Sequence, residues 1–272
     1  MPKSKDKLQR ERVIAITLIT VFCAVFAVLE LVPINLIEDD VKNAWIVRII
    51  SNSAAIGAVV VLLKTLKIKP FMRVERWHFL LPALAVALAN LPLISFLNGN
   101  MSLVRDGADD IALFVVYCIS VGVLEELVFR GVLFPALAGS FTQDKKGFIK
   151  AFVLSSVLFG AAHLSNLFRG AGVGATLLQV LYTILTGGLF CFVFIQTKNI
   201  LCSAGVHALY NMCGLIFEIP ARLGLGSGVV FDAPTIIVMA VIDVCVAVFV
   251  LYSLHKYPIE EQKVFYKCLN IS

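Results

Sequence analysis

Two adjacent carboxylates, Glu125 and Glu126, lie in the middle of an otherwise apolar segment, VGVLEELVFRGVLF. An ionised carboxylate near the centre of a bilayer costs roughly 2.5–3.5 kcal/mol on insertion scales, so such a group indicates a functional site. Arg130 follows Glu126 by four residues, in the order that favours an ion pair on a helix. We therefore expect Arg130 to neutralise Glu126, and Glu125, which points about 100° away around the helix, to carry chemistry.

Three further polar residues lie inside later apolar segments: His163, His207 and Asn211. A carboxylate beside an imidazole can activate water, because the carboxylate takes a proton while the imidazole orients the water or carries the proton onward. A second histidine and a side-chain amide can donate hydrogen bonds to a developing oxyanion, and one such donor lowers the barrier by about 3–4 kcal/mol. The set predicts hydrolysis of an amide bond by activated water.

The composition indicates that these groups lie in a membrane. Of the 272 residues, 60% are hydrophobic and 15% are charged, and the mean hydropathy is +0.93. A soluble core of this size does not need so much apolar surface. We predict an all-α polytopic membrane helix bundle of about eight transmembrane helices, near residues 13–32, 44–66, 78–97, 111–137, 148–168, 173–196, 199–218 and 234–254.

The polar residues fall at similar depths in these predicted helices. At a rise of 1.5 Å per residue, Glu125 and His207 lie about 12 Å from the inner surface, and His163 and Asn211 about 18 Å. Residues on different helices at one depth can meet in one layer. Phe159 lies one turn before His163 on the same face, where we expect it to pack or to wall the pocket against lipid.

The basic residues predict the orientation of the chain. With a cytoplasmic N-terminus, 17 of the 23 lysines and arginines fall in inside segments, as the positive-inside rule requires. Both termini are then cytoplasmic, and the net charge of +5 reflects orientation, with no nucleic-acid partner expected. The seven cysteines show no CxxC spacing, so we expect free thiols and no disulfide framework.

We expect one domain with three parts. Residues 1–97 hold the N-terminal transmembrane helices, 111–218 hold the chemically active core, and 234–272 hold the last transmembrane helix and a cytoplasmic tail. No internal repeat divides the chain. Asp243, an acid in the last predicted helix, has no visible partner in the sequence, and we assign it no role.

Three motifs follow one another on successive predicted helices: EExxxR at Glu125–Arg130, FxxxH at Phe159–His163 and HxxxN at His207–Asn211. Together they resemble the CPBP family of intramembrane proteases, which contains the CAAX prenyl endopeptidases of the Rce1 type and the bacterial bacteriocin-processing and immunity (Abi) proteins. The resemblance covers about residues 115–215. It implies that Glu125 and His163 activate the water and that His207 and Asn211 form the oxyanion site.

The resulting hypothesis is an intramembrane endopeptidase in a bacterial cell membrane, acting on membrane-embedded or lipid-modified peptides within the lipid bilayer. One alternative is a non-catalytic bacteriocin immunity or scaffold protein. Another is a proton-coupled transporter with Glu125, Glu126 and His163 as a relay, for which inverted repeats would be expected. The polar groups form one clustered layer without such a repeat, which favours the enzyme.

We expect no cofactor. The alternative is zinc, with Glu125, His163 and His207 as the protein ligands and one open position. The sequence favours metal-free chemistry, because the HExxH spacing is absent and Asn211 would be a poor zinc ligand.

Overall fold

The computed structural model describes residues 34–97, 102–103, 107–218 and 233–270. The α-helices, numbered in chain order, are α1 (Asp40–Leu66), α2 (Leu80–Ala89), α3 (Leu93–Leu97), α4 (Ala108–Glu126), α5 (Phe134–Ser140), α6 (Lys145–Ala162), α7 (Val173–Thr197), α8 (Ile200–Leu215), α9 (Ala233–Lys256) and α10 (Ile259–Cys268). Two-residue strands, β1 (Ser102–Leu103) and β2 (Phe217–Glu218), pair antiparallel.

The predicted helical membrane bundle is confirmed. In the part of the chain that the structure describes, five helical segments are long and apolar enough to cross a membrane: Asp40–Leu66, Ala108–Ser140, Lys145–Arg169, Val173–Thr197 and Ile237–Lys256. Two shorter apolar helices, Trp77–Ala89 and Ile200–Leu215, match two more predicted spans. The remaining predicted span, 13–32, lies outside the described residues.

A π-helical turn, Leu127–Leu133, directly follows Glu126 and joins α4 to α5 in one continuous run. Such turns are wider than α-helical ones and are frequent at functional sites. On the neighbouring helix α6, the Ser155 hydroxyl donates to the Phe129 carbonyl inside this turn, at 3.4 Å. The run is therefore straightforward to predict from hydropathy, whereas its widened turn is not.

The next span begins with a side-chain cap and ends in a tighter helix. The Asp144 carboxylate accepts from the Gly147 N–H at 2.8 Å and from the Thr142 hydroxyl at 2.7 Å. These two bonds hold the pKa of the Asp144 carboxyl below its usual value. At the other end, α6 gives way to a 3₁₀ helix, His163–Arg169.

Helices α4 and α8 pack in close contact at a glycine. A Cβ added to Gly122 would lie 2.9 Å from the Ala208 nitrogen and 3.0 Å from the Ala204 carbonyl oxygen. Small residues allow membrane helices to approach in this way. The approach matters because α4 ends with the two carboxylates and α8 carries His207.

An extended segment, residues 69–75, lies against the junction between α7 and α8, and we call it the strap. The Ile200 N–H donates to the Pro70 carbonyl at 2.9 Å, and the Glu75 N–H donates to the Thr197 carbonyl at 3.0 Å. Both bonds join main-chain atoms of the strap to main-chain atoms of the junction. The strap therefore fixes the point from which α8 starts.

The last helix, α10, docks on the ends of other helices. Phe265 is fully buried and packs its ring near those of Phe134 on α5 and Phe194 on α7. Beyond α10, the Asn270 side chain donates to the carbonyl of Leu66, the last residue of α1, at 2.8 Å. The segments that follow α1 and α9 thus lie at the same end of the bundle.

Candidate active site

His207 is the buried centre of the site, and both carboxylates reach it. Its Nδ1 lies 3.0 Å from Oε1 of Glu126, and its Nε2 lies 3.7 Å from Oε2 of Glu125. The sequence analysis expected Glu126 to pair with Arg130 and did not foresee that both acids would share His207 as a neighbour. The close packing of α4 on α8 at Gly122 brings one imidazole between two consecutive side chains.

Glu126 and Arg130 form the expected ion pair, at 2.8 Å between Oε1 and Nη1. Both side chains are 0% exposed, so the arginine does not extend to the membrane surface. Its second terminal nitrogen, Nη2, donates to the Gly187 carbonyl at 2.7 Å. A buried charge requires such partners, because removing it from water costs several kcal/mol per ion.

Phe159 contacts the Arg130 guanidinium and both imidazole rings. The Arg130 guanidinium lies 4.3 Å from the centre of its ring, the distance of a cation–π contact. The rings of His163 and His207 meet it edge-on, at centroid distances of 5.4 and 5.7 Å. Phe159 is buried and lies between these residues, so it is an internal wall of the site.

Phe190 is a site residue that the sequence analysis missed. Its ring stacks on His207 at 4.5 Å between centroids and 17° between planes. One turn earlier, a Cβ on Gly187 would lie 2.6 Å from the Phe159 ring and 3.2 Å from Arg130 Nη2. The run 189–195 is uniformly apolar, so no pattern in it distinguishes Phe190 from its neighbours.

His163 lies where α6 ends and the 3₁₀ helix begins, and it is half-buried. Its Nδ1 is 3.1 Å from the Phe159 carbonyl oxygen. A carbonyl oxygen only accepts, so Nδ1 carries the hydrogen and, in the neutral ring, Nε2 keeps a lone pair. The hydrogen bond therefore fixes both the ring orientation and the tautomer that presents an acceptor.

The remaining two site residues are more accessible. The Glu125 side chain is 31% exposed, in contrast to Glu126. Asn211 is half-buried one turn beyond His207 on α8, and its side chain has no hydrogen bond to any of the described residues. The structure thus joins both carboxylates and His207 directly, places His163 one aromatic ring away, and leaves Asn211 one turn along the same helix.

The proposed zinc ligands do not form a metal-binding group as they are arranged. Within residues 34–97, 102–103, 107–218 and 233–270, no three His, Cys, Asp or Glu side chains are placed to hold one ion. Nδ1 of His207 lies against Glu126 and Nδ1 of His163 against a carbonyl, so the Nε2 atom of each ring is the one left for other contacts. No step of the chemistry below is routed through a metal.

Comparison with known families agrees with the motifs. Residues 107–213 match the family described as "Type II CAAX prenyl endopeptidase Rce1-like". This segment contains the acid pair, the arginine, both histidines and the asparagine. The family resemblance seen in the three motifs is therefore confirmed over this segment.

Two curated proteins are similar to parts of the chain. One is CAAX prenyl protease 2 of Saccharomyces cerevisiae, 31% identical over 113 residues, which are 38% of this chain and 35% of that protein. The other is the putative membrane peptidase YdiL of Bacillus subtilis, 29% identical over 125 residues, or 45% of each chain. The similarity thus spans less than half the length of either relative. No solved structure matches the chain.

Proposed function

We propose that this protein is an intramembrane endopeptidase that hydrolyses a peptide bond with water activated by Glu125 and His163. The observation that carries the proposal is the His207 ring, held between Glu125 and the buried Glu126–Arg130 pair. Ionisable groups from separate membrane helices converge there, and the matching family and both relatives are described as peptidases.

The proposed reaction uses His207 with a hydrogen on each ring nitrogen. Glu126 is ionised beside Arg130 and only accepts, so His207 Nδ1 donates to it. In a neutral ring, the lone pair of Nε2 would then face the Glu125 carboxylate. A protonated Nε2 instead presents an N–H donor to that carboxylate. Two carboxylates, one guanidinium and one imidazolium have no net charge together, which suits a low-dielectric site.

In the proposed reaction, Glu125 takes a proton from water while the water oxygen attacks the peptide carbonyl carbon. His163 Nε2 orients that water through its lone pair. The carbonyl oxygen becomes an oxyanion, which accepts hydrogen bonds from His207 Nε2 and the Asn211 side-chain amide. The C–N bond then breaks as the proton held by Glu125 passes to the leaving nitrogen, and a carboxylic acid and an amine are released.

Glu126, Arg130, Phe159 and Phe190 act through His207 in this scheme. Glu126 accepts a hydrogen bond from Nδ1 of His207. Phe190 stacks on the His207 ring, and Phe159 lies edge-on to it, so together they restrict its orientation. Arg130 keeps Glu126 ionised and ties it to the Gly187 carbonyl on α7. These residues are positioning residues, because they reach the oxyanion only through the imidazole.

The proposed substrate is a membrane-embedded or lipid-modified peptide. The 31% exposure of Glu125 leaves the reacting carboxylate accessible, whereas its neighbour Glu126 is fully enclosed. One similar protein is named as a CAAX prenyl protease, which makes a prenylated peptide the first substrate to test. A membrane-bound peptide would reach the buried site by moving within the bilayer.

The test uses the purified full-length chain in lipid nanodiscs and a fluorogenic peptide with a farnesylated cysteine fourth from its C-terminus. The wild type should release the peptide following that cysteine. Glu125→Gln and His163→Ala should each lower kcat at least a hundredfold. Matched controls are Glu38→Gln and His255→Ala, exposed residues outside the site, which should cleave as the wild type does.

Equal cleavage by Glu125→Gln and the wild type would refute the catalytic assignment. Absence of cleavage of prenylated, unmodified and transmembrane peptides alike by a folded wild type would favour the immunity or scaffold alternative. Loss of proton transport on Glu125→Gln, in sealed vesicles without peptide, would instead support the transporter.

We further propose that both termini are cytoplasmic, and that the chain resides in a bacterial cell membrane. The distribution of lysine and arginine supports the orientation. The contact of Asn270 with Leu66 places the predicted inside segments after α1 and α9 at one end of the bundle. Fusing a reporter that is active only in the cytoplasm after Ser272 tests the orientation, and an inactive, fully produced fusion would overturn it.

A further inference from the structure

Four basic side chains at or near the strap form no ion pair with any described residue. They are exposed, and they are Lys64, Lys67, Lys69 and Arg73. Glu75, the last residue of the strap, and Arg76, which follows it, differ, because Glu75 pairs with Lys198 at 2.7 Å and Arg76 pairs with Glu261. The local charges that remain uncompensated are therefore all positive.

The strap itself carries two of these charges, Lys69 and Arg73, on one face. Alternate side chains of an extended segment point to opposite faces, about 6.6 Å apart along each face. Pro70 is buried and Met72 is partly buried, so this face is turned to the protein. Lys69, Phe71 and Arg73 are exposed on the other face, and Phe71 is 50% exposed between the two cations.

The strap lies at a membrane boundary. It follows the end of α1 at Leu66 and precedes the apolar helix that starts at Trp77. Trp77 is 63% exposed. Tryptophan side chains are enriched at the level of lipid headgroups, where an apolar ring and a polar environment meet.

We propose that the strap is a binding site for an anionic phospholipid. The headgroup phosphate lies between Lys69 and Arg73, while the Phe71 and Trp77 rings lie at the boundary of the acyl chains. Clusters of lysine and arginine beside a membrane helix attract anionic lipids, and each basic residue strengthens that attraction about fivefold. The aromatic side chains make the site specific for a lipid, because a soluble phosphate offers them no apolar partner.

A lipid bound to the strap would also restrain the α7–α8 junction. Main-chain bonds join Pro70 to Ile200 and Glu75 to Thr197, and the Asn199 side chain donates to the Met72 carbonyl. A lipid that holds the outer face of the strap therefore also holds the start of α8. This inference concerns lipid binding and does not rest on the proposed peptidase activity.

The test uses the two tryptophans of the chain. Trp45→Phe leaves Trp77 as the only reporter in the strap region, whereas Trp77→Phe leaves Trp45, which is buried against Phe114. The full chain is placed in phosphatidylcholine nanodiscs with one tenth of brominated phosphatidylglycerol or, in parallel, one tenth of brominated phosphatidylcholine. Bromine quenches tryptophan fluorescence on contact, so quenching reports which lipid lies beside the reporter.

In the Trp45→Phe variant, the brominated anionic lipid should quench Trp77 at least threefold more than the brominated neutral lipid does. In the Trp77→Phe variant, the two brominated lipids should quench Trp45 equally. Lys69→Gln/Arg73→Gln should remove the difference at Trp77. The matched control is Lys146→Gln/Lys150→Gln, which removes two exposed charges at the start of α6 and should preserve it. Equal quenching of Trp77 by both lipids, or an unchanged difference in the strap variant, would overturn the proposal.

Salt and a soluble competitor separate specific lipid binding from general attraction. Raised salt should reduce the difference in Trp77 quenching between the anionic and the neutral lipid, because exposed charges are screened. Glycerol phosphate at millimolar concentration should leave it unchanged if the aromatic rings require acyl chains. Complete displacement by glycerol phosphate would show an anion site without lipid specificity and would refute the proposal as stated.

Discussion

His207 and Arg130 are joined through a single oxygen atom, Oε1 of Glu126, which accepts from the imidazole at 3.0 Å and from the guanidinium at 2.8 Å. The oxygen thus links a residue of α8 to one in the π-helical turn after α4. Arg130 in turn donates to Gly187 of α7. Glu126 and Arg130 together therefore link three membrane helices, the run that contains them, α8 and α7.

Glu126→Gln should destabilise the protein strongly. The amide keeps the shape of the side chain but removes the charge, which leaves the Arg130 guanidinium buried without compensation. Breaking one partner of a buried pair costs about 3–5 kcal/mol. Thermal unfolding in detergent, followed by circular dichroism, measures the loss.

Removing both partners is the matched control for this prediction. Glu126→Leu/Arg130→Met leaves no unpaired charge, so it should be less destabilised than either single replacement. Peptide cleavage should still fall in the double variant, because His207 loses its acceptor. Strictly additive losses of stability would show that the two charges do not depend on each other.

Gly122→Ala should separate α4 from α8. The new Cβ would lie 2.9 Å from the Ala208 nitrogen, a main-chain atom that cannot rotate away. Overpacking of this kind costs about 1–3 kcal/mol, and the shift should also lengthen the contacts of His207 with the carboxylates. The unfolding temperature and the cleavage rate should therefore fall together.

Gly205→Ala on α8 is the control, because a Cβ there meets nothing within 4 Å. Replacing a helical glycine with alanine without a clash should be neutral or stabilising, by up to about 1 kcal/mol. If the two alanine variants behaved alike, close approach at Gly122 would not explain the packing of these helices.

Phe190→Leu should slow catalysis without weakening substrate binding. The stacked ring holds the His207 plane, and an aromatic pair contributes about 0.5–1.5 kcal/mol beyond its buried area. We expect kcat to fall about threefold to tenfold with little change in KM. Phe168→Leu, at a ring that is 80% exposed, should leave both constants unchanged. An effect on KM alone would assign Phe190 to substrate contact.

Peptide cleavage should survive removal of divalent metal ions. The proposed steps use Glu125 and the His163 ring, whose Nδ1 is bonded to a main-chain carbonyl, as the groups that handle water. Incubation with a strong chelator, followed by dialysis, should leave kcat within about twofold of its starting value. Loss of activity that zinc alone restores would contradict metal-free chemistry.

The helices were predictable because hydropathy reports which segments enter lipid. The polar residues inside them, such as Glu125 and His207, were identifiable because a charge in lipid is costly. The contact of one imidazole with both carboxylates was not predictable, since it depends on how far apart α4 and α8 lie. That distance is set by Gly122 against two alanines of α8, a contact that the sequence does not pair.

Phe190 shows a second limit of the sequence. In water, an amphipathic pattern distinguishes the buried face of a helix from its exposed face. In lipid, both faces are apolar, so the buried Phe190 and the 63%-exposed Leu181 on the same helix look alike. The π-helical turn was missed for a related reason, because no residue in Leu127–Leu133 is specific to that geometry.

The junction between α7 and α8 is held to residues 69–75 mostly by peptide groups, and this determines which replacements evolution and protein engineers can make there. The main-chain bonds themselves do not depend on the identity of the side chains, as long as the N–H and C=O groups stay in place. Proline is the exception at positions 75 and 200, because it would delete the donated hydrogen of Glu75 or Ile200. Relatives with unrelated residues in this region can therefore retain the same geometry, and alignment alone would not reveal it.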